Sequence, residues 1–156
     1  MAGAKAETLV DPRTFVAEAF PGLEPEAGLL WLTPEIRADA ARILGRDPST
    51  LRQRYWKHGR RTAWILDEIG KEEPITAGFV VEDGRLLGAH LLIYRESRGW
   101  EIRYPYFLEQ FADARLDEDL GLDRSIDGIS GATLSVRAMQ RMARLALLYH
   151  ARAAGN

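Results

Sequence analysis

The chain has 156 residues, 46% of them hydrophobic and 28% charged, with a net charge of −2. That length suits one domain with a real core, and the near-neutral balance offers no global field for gathering nucleic acid or an anionic membrane. With no cysteine, disulfides, thiol nucleophiles, thiolate metal sites and iron–sulfur clusters are excluded, so any redox chemistry must come from a bound organic cofactor.

No apolar run approaches the ~20 residues of a bilayer-spanning helix. Ala4-Lys5-Ala6 before Glu7 has the small-x-small form of a signal-peptidase site, which points to an exported protein whose leader has been removed. Residues 1–10 read as a flexible tail. Asp11-Pro12 caps a first short helix carrying Phe15, Val16, Ala19 and Phe20 on one face, stopped by Pro21-Gly22. Thr33-Pro34-Glu35 opens a second, closed by Gly45 and Pro48. From Leu51 the texture becomes β-branched and aromatic: Leu51 to Trp56 and Thr62 to Ile69 form one hairpin across Lys57-His58-Gly59-Arg60. Ile75 to Glu82 and Arg85 to Tyr94 form another, around Asp83-Gly84, a pair suited to a primed turn.

Arg95 to Arg103 reads as a loop, Tyr106 to Phe111 as one or two helical turns, and Leu116 to Asp127 as an acidic loop. A long helix then runs from about Thr133 to Ala153, with Leu134, Ala138, Met142, Leu145 and Tyr149 along one face. The expected fold is α+β: an antiparallel, hairpin-built sheet packed by the long C-terminal helix, with two short N-terminal helices, all in one domain over 1–156.

The densest chemistry lies in Asp127-Gly128-Ile129-Ser130-Gly131-Ala132-Thr133-Leu134-Ser135. Here a turn of small residues meets a helix start, where unpaired N–H groups and the helix dipole favour a negative group such as phosphate. The plainer alternative is that Ser130 or Thr133 simply caps the helix. Arg137, Arg141 and Arg144 form a stripe that is either a solvated face or a contact for phosphate or a partner. Trp31, Trp56 and Trp64 read as core or domain-edge residues, and Glu72-Glu73 as a charged loop. His58, His90 and His150 are scattered without ligand spacing, so no metal site is expected. Nothing suggests catalytic residues of a hydrolase.

Asp127-x-x-Ser130-Gly131-Ala132-Thr133 resembles the flavinylation motif of the FMN-binding domain family, which includes flavin-bearing domains of the sodium-translocating NADH:quinone reductase and of the Rnf complex. Five specified letters at about 7% usage each match by chance on the order of once in a million starts. Glu96-Ser97-Arg98-Gly99-Trp100-Glu101, after the Arg85 to Tyr94 strand, is similar to the family's Glu-Thr-Pro-Gly-x-Gly loop beside the flavin. Arg98 stands where the family has proline and Glu101 where it has glycine. Ser135 stands where threonine is frequent. Phe107-Leu108-Glu109-Gln110-Phe111 resembles the family's aromatic-x-x-Gln-Phe stretch. The resemblance covers residues 75–142.

The resemblance implies an electron-transfer flavoprotein with FMN joined to Thr133 through a phosphoester bond. Asp127, Ser130, Gly131, Ala132, Leu134 and Ser135 would surround the attachment, and Glu96, Ser97, Arg98, Gly99 and Trp100 would border the ring. Trp100, Tyr104 and Tyr106 are candidates to pack on it, and Arg98 either bonds the ring's N1–C2=O side or lies on the surface. The implied partners are a Mg-dependent flavin transferase that uses FAD, and redox proteins, membrane-bound ones included. The implied location is the periplasm or another extracytoplasmic space. Two other functions stay open at this point: a reductase using noncovalent FMN, and a flavin-free module whose N-terminal helices and first hairpin bind a partner.

Overall fold

The local signals for the two leading helices act as their chemistry dictates. In the computed structural model, which describes residues 6–154, α1 (Pro12–Ala19) begins at Asp11, whose carboxylate accepts the Arg13 N–H at 2.8 Å. Helix α2 (Pro34–Leu44) begins at Thr33, whose hydroxyl accepts the Ile36 N–H at 3.3 Å, and ends at Gly45 with a left-handed φ of 77°.

Six strands, β1 (Glu7–Thr8), β2 (Glu26–Trp31), β3 (Arg52–His58), β4 (Arg61–Ile69), β5 (Pro74–Glu82) and β6 (Arg85–Tyr94), form one antiparallel sheet in the order β1-β6-β5-β4-β3-β2. Both expected hairpins are present. Asp83 and Gly84 have φ of 52° and 78°, the positive values a two-residue primed turn needs at both central positions.

After β6 come a 3-10 turn (Trp100–Arg103), the short helix α3 (Pro105–Leu108) and a second 3-10 turn (Glu109–Phe111). The chain ends in the long helix α4 (Thr133–Ala154). Helices α2 and α4 cover one face of the sheet around Trp64, Phe79, Leu86, Met139 and Met142. Helix α1 covers the middle of the other, placing Phe15 and Phe20 on Ala63, Val80 and Leu92. Gly78 makes that contact possible, since a Cβ there would fall 2.7 Å from the Phe15 ring.

Four readings are corrected. Residues 1–5 lie outside the described residues, but 7–10 are no free tail: Glu7 and Thr8 pair with Tyr94 and Ile93, and the Leu9 N–H donates to the Leu92 carbonyl at 2.7 Å. Between the two leading helices lies the unanticipated β2, an edge strand whose Gly28 and adjacent Leu29 and Leu30 break the period-2 signal. The loop after β6 contains a 3-10 turn where none was read. Ala138, Met142, Leu145 and Tyr149 are buried as expected, whereas Leu134 is 44% exposed, on the first turn of α4 beside an open cleft.

Candidate functional site: the cleft at the start of α4

Helix α4 opens without a side-chain cap. Ala132 holds the cap position, its carbonyl accepting the Val136 N–H at 2.9 Å. Alanine offers no oxygen to the next N–H groups. Among the described residues no side chain accepts from the first turn, so Ser130 and Thr133 are not the ordinary caps that the plainer alternative required. Gly131, at φ 83°, turns the chain into the helix. Thr133 is exposed in the first turn.

Beside this helix mouth lies a cleft of about 370 Å³, lined by Gly131, Ala132, Thr133, Leu134 and Ser135 from α4 and its approach, and by Glu96, Ser97, Arg98 and Gly99 from the loop after β6. Two segments more than thirty residues apart, picked out separately in the sequence, thus meet on one cavity. Gly99 permits the meeting. It has φ 80°, and a Cβ there would lie 2.6 Å from the Tyr94 hydroxyl and 3.4 Å from the Ala132 Cβ. The Tyr94 hydroxyl donates to the Arg98 carbonyl and lies 3.1 Å from the Ser135 hydroxyl, tying β6, the loop and α4 together. Burial raises the Tyr94 pKa, so the group stays a neutral phenol.

Glu96 lines the cleft but faces inward. Its carboxylate accepts the backbone N–H groups of Lys71, Glu72 and Glu73 at 2.8, 2.9 and 3.2 Å. This folds the β4–β5 turn into the cleft wall and brings Lys71 and Glu72 to the cavity, two residues absent from the sequence-derived set. Glu72 and Glu73 are therefore more than a charged loop. No local signal marks them, because their role rests on a contact made from about 24 residues along the chain. Lys71 and Arg98 are exposed, and neither forms an ion pair among the described residues. Arg98 is at once a surface residue and part of the cleft's lining.

Trp100, Asp127 and Ser130 do not line the cleft. The Trp100 ring stands edge-on to Tyr94 with centroids 4.8 Å apart and carries the Arg103 guanidinium on its face; it supports the wall from behind. Tyr104 and Tyr106 are exposed and neighbour each other elsewhere, 6.0 Å apart. Asp127 is held upstream by its backbone, whose N–H donates to the Gln110 side chain at 2.7 Å.

Two arginines of the α4 stripe, Arg141 and Arg144, make structural contacts. Arg141 Nε donates to the buried Glu68 at 2.7 Å, and Arg46 from the loop after α2 binds the same carboxylate at 2.8 Å. Arg144 Nε donates to the Leu120 carbonyl at 2.6 Å. Arg137 alone of the three stays exposed. Of the tryptophans, Trp64 is buried, Trp56 is half-buried against the α1 cluster, and Trp31 is exposed at the sheet edge.

An α+β domain whose last helix opens without a side-chain cap onto a cleft, with two cationic side chains unpaired among the described residues and an exposed hydroxyl at its mouth, has the features that suit a phosphate-bearing ligand. A family model described as FMN-binding domain matches residues 70–148, just over half of the chain, and so takes in the β4–β5 turn and most of α4. The chain belongs to the FMN-binding domain family, and FMN is its cofactor. No curated protein matches the chain. The residues present fit that cofactor. The uncapped amides and the absence of any side chain on Gly131 leave room for a phosphate, and the cavity beyond lies in the ~300–1,000 Å³ range of small-molecule sites.

Proposed function

We propose that the protein is an electron carrier with FMN bound covalently through the Thr133 hydroxyl, working between redox partners outside the cytoplasm. The observation that carries this reading is the position of Thr133: exposed, on the first turn of an uncapped helix, at the edge of the cleft. A hydroxyl so placed is open to a modifying enzyme, and the neighbouring N–H groups favour the single negative charge of a phosphodiester. Lys71 and Arg98 add positive charge nearby, while Glu96 keeps the β4–β5 wall in place. Bound there, the isoalloxazine supplies one- and two-electron redox chemistry.

Nothing in the chain resembles the metal-neutralised donor that phosphoryl transfer requires. The proposal therefore includes a separate Mg-dependent flavin transferase. It forms the bond from the Thr133 oxygen to the flavin phosphate of FAD, releases AMP and takes the hydroxyl proton. An exported location is part of the same proposal, because it brings the chain to this maturation route.

The test is co-expression with a flavin transferase, followed by intact-protein mass spectrometry. The expected product is heavier by one FMN less water and keeps its flavin absorbance after denaturation, and Thr133→Ala abolishes both. Yellow protein that loses its colour on unfolding would establish noncovalent FMN instead, and flavin retained by Thr133→Ala would refute the attachment point.

A further inference from the structure

The residues before the family match carry a surface of their own. Strand β2 ends the sheet, and among the described residues no strand pairs with its outer edge. Alternate residues of such a strand turn their N–H and C=O groups outward. The devices that commonly blunt an edge, lysine, proline or a bulge, are missing from Glu26–Trp31, whose only charge is Glu26 at the first position.

The side chains of this edge are equally unguarded. Leu30 is buried in the α4-side core, so Leu29 and Trp31 face the opposite way, on the part of the sheet that α1 leaves bare; they are 47% and 60% exposed. Their cross-strand partners are Arg54 and Arg52, and the Arg52 guanidinium lies 5.6 Å over the Trp31 ring. Neither arginine pairs with a carboxylate among the described residues. The strip therefore combines two apolar anchors, two free guanidiniums and an open backbone edge.

We infer that this strip is a docking site for an extended segment of a partner protein that carries both acidic and apolar side chains on one face, at every second position, and adds to β2 as a seventh strand. Each element of the surface selects one property of that segment. The outward backbone groups need hydrogen-bond partners that a hydrocarbon layer does not supply. Free guanidiniums favour carboxylates, with which they form charge-assisted pairs. Leu29 and Trp31, two residues apart on one face, match apolar side chains at alternate positions of an added strand. A second copy of this chain would instead bring another pair of arginines to a face that already holds two.

The strip also lies at the same end of the sheet as the cleft. Trp31 is paired with Arg52 at the start of β3, antiparallel to β4, and β4 ends at Ile69, immediately before the turn that carries Lys71. From β2 to β5 is three strand spacings, on the order of 14 Å. That the docked partner exchanges electrons with the flavin rests on the proposed function; the docking itself does not.

Selection of short random peptides displayed on phage against the full chain tests the inference. Enriched sequences are expected to combine acidic and apolar residues at positions two apart, on one strand face, and their binding should weaken at least tenfold in the Arg52→Glu/Arg54→Glu double variant, in Trp31→Ser, and at high salt. Binding should be unchanged in Thr133→Ala, so failure of flavin attachment and failure of docking are read separately. The inference is overturned if no peptide family is enriched, if the enriched peptides are basic, or if the double variant, shown folded by circular dichroism, binds them equally. It is also overturned if sedimentation shows a dimer that Trp31→Ser dissolves, or if anionic vesicles bind the chain through this strip.

Discussion

The Gln110 carboxamide grips the backbone of Asp127 from both sides. Its oxygen accepts the Asp127 N–H at 2.7 Å, and its nitrogen donates to the Asp127 carbonyl at 3.4 Å. Phe107 and Phe111, both fully buried, fix the short helical segment that presents it. The aromatic-x-x-Gln-Phe stretch is thus a fastener for Asp127, the first residue of the Asp-x-x-Ser-Gly-Ala-Thr motif. Gln110→Ala is expected to cost little stability, about 1 kcal/mol for the shorter, mostly solvated bond, yet to lower the flavinated fraction severalfold on co-expression with a transferase. Intact-mass yields and hydrogen exchange at the Asp127 amide check this; an unchanged yield together with a freely exchanging amide would show that the grip is irrelevant to maturation.

Gly99 carries both a conformational and a steric requirement. A side chain there meets a positive φ costing about 1–2 kcal/mol and collides with the Tyr94 hydroxyl at 2.6 Å. Gly99→Ala should lower stability by about 2–3 kcal/mol and widen the cleft. Tyr94→Phe, which removes the hydroxyl and both its hydrogen bonds, should relieve part of that clash. Urea midpoints of the two single variants and the double variant form the cycle. Simple additivity would mean that the two groups do not collide.

Glu68 binds α4 to β4 and to the loop after α2. Burial alone would raise its pKa, but hydrogen bonds from Arg46 and Arg141, with their charges, override that and hold the carboxyl below the usual carboxylate range. A depressed carboxylate contributes stability above its unfolded pKa, near 4.5, and loses it as the pH falls through the lower folded value. Glu68→Gln is therefore expected to cost about 2 kcal/mol at pH 7, with the difference from the parent shrinking below about pH 4. Denaturant titrations across that range measure it.

His150 works in a higher window. The Gly84 N–H donates to its Nε2 at 3.3 Å, so the ring proton sits on Nδ1 and is donated to the Thr62 oxygen at 2.7 Å, which also accepts the Trp64 indole N–H at 2.7 Å. A second ring proton would oppose the Gly84 N–H. Burial lowers this pKa despite the opposing pull of Asp83. Below about 6.5, the ordinary value, the unfolded chain binds a proton that the folded chain resists, so stability falls with pH until the folded value is reached. Thermal midpoints at pH 7.5 and 5.5 should differ in the parent and much less in His150→Phe. Equal shifts in both would remove His150 as the source.

Local chemistry made much of the architecture readable. Caps at Asp11 and Thr33, the Asp83-Gly84 turn and the long periodicity after Thr133 each act within a few residues, where side chain and backbone meet regardless of the rest of the fold. The Asp-x-x-Ser-Gly-Ala-Thr motif was readable for the same reason, as an unbroken run at a helix start. Strand β2 was not, because an edge strand with one solvated face carries little periodicity and is defined by its pairing with β3.

Arg141 and Arg144 show the same limit from the other side. Their spacing described a helical stripe correctly, but only the approach of Glu68 and of the Leu120 carbonyl turned that stripe into structural contacts. Likewise Lys71 and Glu72 enter the cleft because Glu96, at the end of another strand, gathers their N–H groups. The sequence by itself determined the elements and the motif, since these follow from short-range sterics and hydrogen bonding. Which residues share the cleft was decided only by tertiary structure, because a buried carboxylate takes whatever donors the completed sheet brings within reach.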